Sequence, residues 1–369
     1  MPVILAILSE LYKNGFFNCN MKENKKVLVV APLSPDTGSH ESKLYDMISD
    51  EFDVKWISPA SDLAKTQMSN VNILSKNYFL FAFQIRKIIK QWKPDLIHFH
   101  YIDHYKSIAN FFRPVSTPMI ATVWGSDIMK GPYESRLWKM SVANVLNTAS
   151  AITCDASHSI YEINKIISGK KIIKKIFFGI QDSESLSRDN CKENIIYSSR
   201  GHLSRYNIDK IIVSFYEFQK KFPDWHLYIS GVEDPVNTPL YKEMVNSFGI
   251  INKVKFLGFI NSVENRNFMK KSKIFVSIPE NDAVSVSLME AICANCICFV
   301  SDLPANYELI VNGVNGIIVN DSSCAFQRFQ EIDEHLMQKV NKKLREQLTF
   351  EESKEQLLTL YNQILLSQK

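Results

Sequence analysis

Ile274-Phe275-Val276-Ser277-Ile278-Pro279-Glu280-Asn281-Asp282-Ala283-Val284-Ser285-Val286-Ser287-Leu288-Met289-Glu290-Ala291 joins a β-branched run, Ile274 to Ile278, to a helix through a polar turn. Ser285 is a good N-cap, so the spacing predicts a helix beginning at Val286. The amides of Val286, Ser287 and Leu288 are then left without intrahelical partners. Free amides and the positive end of the helix dipole favour a phosphate at this point. Asp282 and Glu290 stand eight residues apart around the helix start. Asp282 lies in the loop, whereas Glu290 lies one turn into the helix and is expected to point toward the mouth. Two acids so placed can reach two parts of one ligand.

The same strand-then-helix pattern recurs on either side. Val27 to Ala31 precedes an amphipathic stretch from Lys43 to Asp50, Leu96 to His100 precedes a helix ending before Pro114, and Met119 to Trp124 precedes Leu137 to Thr148. The alternation restarts with a strand at Asn194 to Ser198, a helix at Asp209 to Lys221 and strands at His226 to Ser230 and Val254 to Leu257. Such alternation argues for βαβ units and parallel sheets. The expected fold class is α/β, with two Rossmann-like doubly wound domains facing each other across a cleft. Ser, Asp, Asn and Lys crowd the segment from Asp182 to Glu193, which sets the domains at residues 21–187 and 192–349. Residues 350–369 carry apolar positions at helical spacing (Leu357, Leu358, Leu360, Tyr361, Ile364) and form a packing helix, for which a return to the first domain is an open placement. Ligands of open parallel sheets bind beyond the carboxyl ends of the strands, so the site is expected between the domains.

Composition bounds the function class. The 369 residues, 46% hydrophobic and 22% charged, are those of an ordinary two-domain globular protein, and a net charge of +4 is too mild to identify a nucleic-acid binder. Seven cysteines, with Cys293, Cys296 and Cys298 in an apolar helix-to-strand passage, argue against a disulfide framework and for a reducing, cytoplasmic setting. The same trio lacks a partner group for metal binding and reads as buried small hydrophobes. Val3 to Leu8 is too short for a membrane span and lacks the flanks of a signal peptide, so Met1 to Asn20 reads as an extension ahead of an alternative start at Met21. Two basic apolar segments, Ile85 to Lys93 and Lys170 to Lys175, fit either an amphipathic face on anionic lipid or a packed element with solvated lysines.

Candidate polar residues gather at the predicted strand ends. After the first strand, Gly38 and Ser39 stand where backbone comes close to a ligand or turns sharply. In the second half Arg200 and Arg205 follow a strand and precede a helix, where a fixed fork of donors suits a diphosphate, a solvated surface pair being the other reading. His98 and His100 point to one face of their strand, open to metal ligation or to ordinary hydrogen bonding. Asp127, in Trp124-Gly125-Ser126-Asp127, either binds a sugar hydroxyl or caps the next helix. The chain contains no G-x-G-x-x-G, no P-loop and no Asp-x-Asp, so dinucleotide redox chemistry, P-loop hydrolysis and a metal-chelated donor diphosphate lack their usual signatures.

Taken together these residues resemble retaining glycosyltransferases of family 4, also called group 1 glycosyltransferases, of the GT-B architecture. The resemblance runs over nearly the whole chain from Lys25. It is carried by Gly38, by Pro94-Asp95-Leu96-Ile97-His98-Phe99-His100, by Gly125 and Asp127, and by the acid-x7-acid motif. Ser301-Asp302-Leu303-Pro304 and Asn312-Gly313-Val314-Asn315-Gly316 continue that motif. The chain departs from the common pattern at Asp282, shorter than the usual glutamate; at Tyr206, where a phosphate-binding lysine is frequent; at Trp124, where a histidine is frequent; and at Asn295, in place of a glycine.

The resemblance implies transfer of a sugar from a nucleoside diphosphate to a polysaccharide, glycan or lipid-linked acceptor, with retention, no cofactor and no metal. It assigns donor binding to the carboxyl-terminal domain. Glu290 would hold the ribose, Asp282 and the amides of Val284, Ser285, Val286 and Ser287 the sugar and phosphate, and Arg200 with Arg205 the leaving diphosphate. Gly38 and Ser39 would approach the donor, and His100 and Asp127 would line the acceptor side. Two other readings stay open: an epimerase on the same scaffold, and a non-catalytic partner subunit that binds a nucleotide sugar. No nucleic-acid partner is implied, and peripheral contact with the inner face of an anionic membrane fits the basic segments.

Overall fold

Strands whose residues are buried on both faces need a layer on either side, which is the situation of a parallel sheet between helices. Val27 to Val30 and all of Leu96–His100 are buried in this way, as are Met119–Thr122 and Ala151–Cys154. The computed structural model describes residues 24–36, 39–61, 66–187, 191–320 and 324–367. The extension Met1 to Asn20, Met21 and Gly38 lie outside the described residues.

The first half runs β1 (Lys26–Val30), α1 (Ser39–Ile48), β2 (Asp53–Pro59), β3 (Val71–Leu74), α2 (Tyr78–Trp92), β4 (Leu96–His100), α3 (His104–Phe112) and β5 (Met119–Thr122). Short helices α4 (Ser126–Met129) and α5 (Gly131–Glu134) lead to α6 (Arg136–Thr148), β6 (Ala151–Cys154), α7 (Ser157–Ile166) and β7 (Ile172–Lys175). The second half runs α8 (Ser183–Ser187), β8 (Glu193–Ser199), α9 (Ile208–Gln219), β9 (His226–Ser230), α10 (Asn237–Ser247), β10 (Val254–Gly258), α11 (Ser262–Lys271) and β11 (Ser272–Ser277). It closes with α12 (Val286–Cys293), β12 (Ile297–Ser301), β13 (Gly316–Val319), α13 (Glu334–Gln347) and α14 (Phe350–Leu366).

Both sheets are parallel, in the orders β3-β2-β1-β4-β5-β6-β7 and β10-β9-β8-β11-β12-β13. Each begins in its middle, builds outward to one side, and then crosses to the other side of its first strand. The crossing makes a crevice at the carboxyl ends of β1 and β4, and another at those of β8 and β11. Each sheet has an apolar cluster on either face. Lys170 to Lys175, open in the sequence between a membrane face and a packed element, supplies the edge strand β7. Lysines on an exposed edge discourage pairing by another chain.

The last helix belongs spatially to the first sheet. Leu357, Leu360, Tyr361 and Ile364 of α14 pack with Val27, Val29, Leu44 and Trp56. The chain thus passes between the halves twice, and the two passages pair: Ile180 N–H donates to Leu348 O at 2.7 Å, and Phe350 N–H donates to Ile180 O at 3.2 Å. Gly179, at φ +52°, leaves no room for a Cβ, which would lie 2.7 Å from Phe350 Cα.

His98 shares a hydrogen bond with the Tyr361 hydroxyl at 2.5 Å and another with Thr122 Oγ1 at 2.6 Å, so its ring is satisfied by protein. Burial pushes its pKa down to about 3. Of the two readings of His98, hydrogen bonding is the one observed. Among the described residues no three His, Cys, Asp or Glu side chains gather as a metal ion would need, and no helix is long and apolar enough to cross a membrane. Tyr361→Phe removes a buried partner of His98 and is expected to cost about 1–3 kcal/mol of stability. Denaturant unfolding of the two proteins measures it.

Candidate active site

The adjacency of β8 and β11 brings the loop after each strand to the same spot. Arg200 follows β8, and its Nε donates to Ser277 Oγ at 2.8 Å while Nη2 donates to Ser285 Oγ at 2.7 Å and to the Asp282 carboxylate. Ser285 is the N-cap of α12, its Oγ accepting from the Leu288 amide at 3.4 Å. One serine therefore both starts the helix and holds the guanidinium at its positive end. The carboxylate of Asp282 offsets the repulsion between that end and the cation.

Arg205 lies over the Tyr206 ring, 5.1 Å from its centroid, and Arg200 lies 5.7 Å from the same centroid. The tyrosine that departs from the family pattern is thus in contact with both arginines. Stacked guanidinium groups keep their in-plane donors for other acceptors.

Glu290 does not reach the mouth as its position in the helix suggests. It is 8% exposed, accepts from Asn265 Nδ2 at 3.1 Å, and lies 3.8 Å from Arg266 Nη1. Burial raises its pKa, and Lys43 and Arg266 pull the other way. Asn265, which it orients, lines a cavity of about 650 Å3 with Gly201, Tyr206, Ser230 and Ser287.

On the facing half, His100 and Asp127 do not line the cleft. Asp127 is fully buried, with Oδ2 accepting from the Ile102 amide at 2.9 Å and Oδ1 from the amides of Trp124 and Gly125 at 3.0 and 2.9 Å. Burial raises its pKa to about 6 against the pull of those amides. Its oxygens are occupied in shaping the turn, so it offers none to an acceptor. His100 is covered by Trp124, whose Nε1 donates to His100 Nε2 at 3.1 Å; burial holds this imidazole neutral. The surface they were expected to form is made by Trp124, His40 and Phe178, with ring centroids 4.7 Å apart for His40 and Trp124 and 4.6 Å apart for His40 and Phe178. Ser39 opens α1, one residue before His40.

The two surfaces enclose a cavity of about 820 Å3, with His40, Trp124, Asp155 and Phe178 on one side and Arg200, Arg205, Asp282 and the Val284 to Ser287 turn on the other. It shares Tyr206 and Ser287 with the smaller cavity, which therefore adjoins it. The halves touch at Gly125, where φ is +114° and an added Cβ would lie 3.2 Å from Ala283 Cβ. They also touch at Glu308, which accepts from the Ser157 amide at 2.7 Å, from Ser157 Oγ at 3.2 Å and from Lys175 Nζ at 2.7 Å. The N-cap of α7 is Ala156, with no side-chain oxygen to give, so the carboxylate of the other half caps this helix.

The sequence missed Asp155, Ser157 and Glu308. Asp155 directly follows β6, and reading that four-residue strand would have marked it by the strand-end rule that marked Arg200.

A profile described as glycosyl transferases group 1 matches residues 181–355, and one described as glycosyl transferase 4-like matches residues 33–156. The two matches together span most of the chain and support a group 1 glycosyltransferase. It is similar to GDP-mannose:cellobiosyl-diphosphopolyprenol alpha-mannosyltransferase of Xanthomonas oryzae pv. oryzae, 21% identical over 232 residues that make up 61% of this chain and 60% of that protein. The chain thus spans about 60% of the length of the curated relatives it matches. Its fold is like that of Anabaena HepE in complex with UDP (TM-score 0.76, 14% identity, 92% of this chain and 100% of that one). It is also like sucrose-phosphate synthase from Thermosynechococcus elongatus (TM-score 0.70, 12% identity, 93% and 100%). The two-sheet architecture of this glycosyltransferase is that of the GT-B fold.

The clasp at Glu308 has a measurable role. Burial raises the Glu308 pKa, but the hydrogen bonds from Lys175 and Ser157 outweigh it and leave the pKa below the ordinary value. A lowered folded pKa means that the clasp is at full strength above the unfolded carboxyl range and weakens as pH falls through the folded value. Glu308→Ala is expected to cost about 1–2 kcal/mol and to enlarge the radius of gyration in small-angle scattering. An unchanged radius together with an unchanged melting temperature would show that the contact does not hold the halves together.

Proposed function

We propose that this protein transfers a hexose-type sugar from a nucleoside diphosphate to a glycan or lipid-linked acceptor, retaining the anomeric configuration and using no metal. The observation that carries the reading is Arg200, fixed by Ser277, Asp282 and Ser285 at the start of α12 in the wall of the cleft. A departing diphosphate develops negative charge there, and a preorganised guanidinium with free helix amides stabilises it without reorganisation. Arg205 adds a second cation one tyrosine ring away. Asp282 and the amides of Val284 to Ser287 would hold sugar and phosphate, and Glu290 would act on the ribose through Asn265.

Retention follows if the acceptor oxygen attacks the face the diphosphate leaves and gives its proton to a phosphate oxygen. Asp282 is tied to Arg200 and is poorly placed to act as a nucleophile, which supports this step. The named activities of the relatives, mannosyl transfer to a diphosphopolyprenol and binding of UDP, are consistent with a nucleoside-diphosphate donor and a lipid-linked acceptor.

A membrane-bound acceptor accords with the outer face of the first half. Phe79, Phe83, Phe111 and Leu137 are 88%, 70%, 80% and 70% exposed on α2, α3 and α6. The same helices present Arg86, Lys87, Lys90, Arg136 and Lys139 and contain no acid. Aromatic side chains among cations suit an anionic bilayer surface, and peripheral docking there would bring the cleft to a lipid-linked substrate.

Two experiments test these readings. In the presence of a suitable acceptor, donor-dependent release of nucleoside diphosphate is expected to fall by about 100-fold or more in Arg200→Ala. Binding of nucleotide sugars without turnover across a broad acceptor panel would leave a non-catalytic partner subunit instead. Phe79→Ser with Phe83→Ser is expected to weaken co-sedimentation with phosphatidylglycerol-containing vesicles by about 10-fold or more. Wild-type protein that ignores such vesicles would sink the docking face.

A further inference from the structure

Asp155 stands at the end of β6 on the wall of the cleft, immediately before the cap of α7. Two described residues lining this cavity bear carboxylates, Asp155 and Asp282. Asp282 is engaged by Arg200. Asp155 is 4% exposed, and its Oδ1 has no hydrogen-bond partner. An unpaired buried carboxylate oxygen is costly and calls for an explanation.

The surroundings of Asp155 define what can meet that oxygen. The Val284 amide of the donor loop faces its carboxyl group, and the carboxylates of Asp127 and Asp282 lie near enough to act on it. Burial, the larger effect, pushes its pKa up to about 7. Phosphate is unfavourable beside these acids and belongs instead with Arg200 and Arg205. A neutral hydroxyl group, which donates a hydrogen bond and brings no charge, fits the site. Asp155 is held against the donor loop because Ser157, two residues on, is held by Glu308, and because Gly125 meets Ala283 beside Val284.

We infer that Asp155 binds a hydroxyl of the donor hexose, accepting its hydrogen bond from the half of the protein opposite the donor loop. The inference rests on the glycosyl-transfer reading of the cleft. It makes Asp155 a determinant of which sugar is accepted, since a hydroxyl of the other configuration would point away and leave the oxygen unpaired.

Calorimetry of the full chain tests it, with UDP-glucose and GDP-mannose as sugar-bearing probes and UDP and GDP as probes lacking the sugar. Asp155→Asn keeps the shape and removes the charge; Asp155→Ser removes the reach. Both are expected to weaken binding of the preferred nucleotide sugar by about 10-fold or more while UDP or GDP binds as to wild type, which also shows that the variants are folded. Equal affinity of wild type and both variants for the nucleotide sugar would overturn the inference and mean that water alone meets Oδ1. An equal loss for nucleotide and nucleotide sugar would overturn it too, revealing a general effect on closure. If wild type binds none of the four probes, the donor reading of the cleft fails, an outcome distinct from the failure of Asp155 alone.

Discussion

The pairing of β8 with β11 governs the chemistry available to this protein. Two strands far apart in sequence become neighbours because the sheet is begun in the middle and completed on the other side. Their loops then have to meet. Arg200 from one and Asp282 and Ser285 from the other form a single unit in which a helix start, a cation and an acid hold one another in place. None of the three would be ordered to the same degree alone, because a long side chain in a wide cleft loses conformational entropy when fixed. Shared hydrogen bonds offset that cost before any ligand arrives.

The facing half follows a different logic. Its polar residues are mostly spent internally: Asp127 on three amides, His98 on a tyrosine and a threonine, His100 beneath an indole. What it turns toward the cleft includes the rings of His40, Trp124, His158 and Phe178, with Lys130 and Asp155 as its charged groups. A nucleotide sugar in this space would lie between a wall of fixed charges and a wall of rings, and such asymmetry favours one orientation of a ligand that is anionic at one end and hydroxylated at the other.

How much of this was legible in the sequence depended on the range of the interactions. The strands Leu96–His100 and His226–Ser230 have the bounds expected from their β-branched runs, and Ser285 caps α12 because capping is decided within three residues. The two-domain α/β class was legible because the strand-helix alternation repeats. β3, β6, β7 and β13 are four residues each, too short for periodicity to separate them from loops. The burial of Glu290 was not legible for another reason. Position on a helix gives its face, but what covers that face comes from Asn265 and Arg266 on a neighbouring helix. Asp127 likewise could cap or bind, and only the fold around Ile102 decided.

The paired passages of chain at Ile180 and Leu348 to Phe350 have a mechanical meaning. One crossing segment would be a tether about which the halves could twist and slide in any direction. Two, hydrogen-bonded side by side, act as the pin of a door: they suppress translation and leave rotation about one axis as the soft movement. Every opening of the cleft would then return Trp124 and Asp155 to the same alignment with the donor loop. The terminal helix that makes the second passage thus supplies registration, a property that neither sheet possesses by itself.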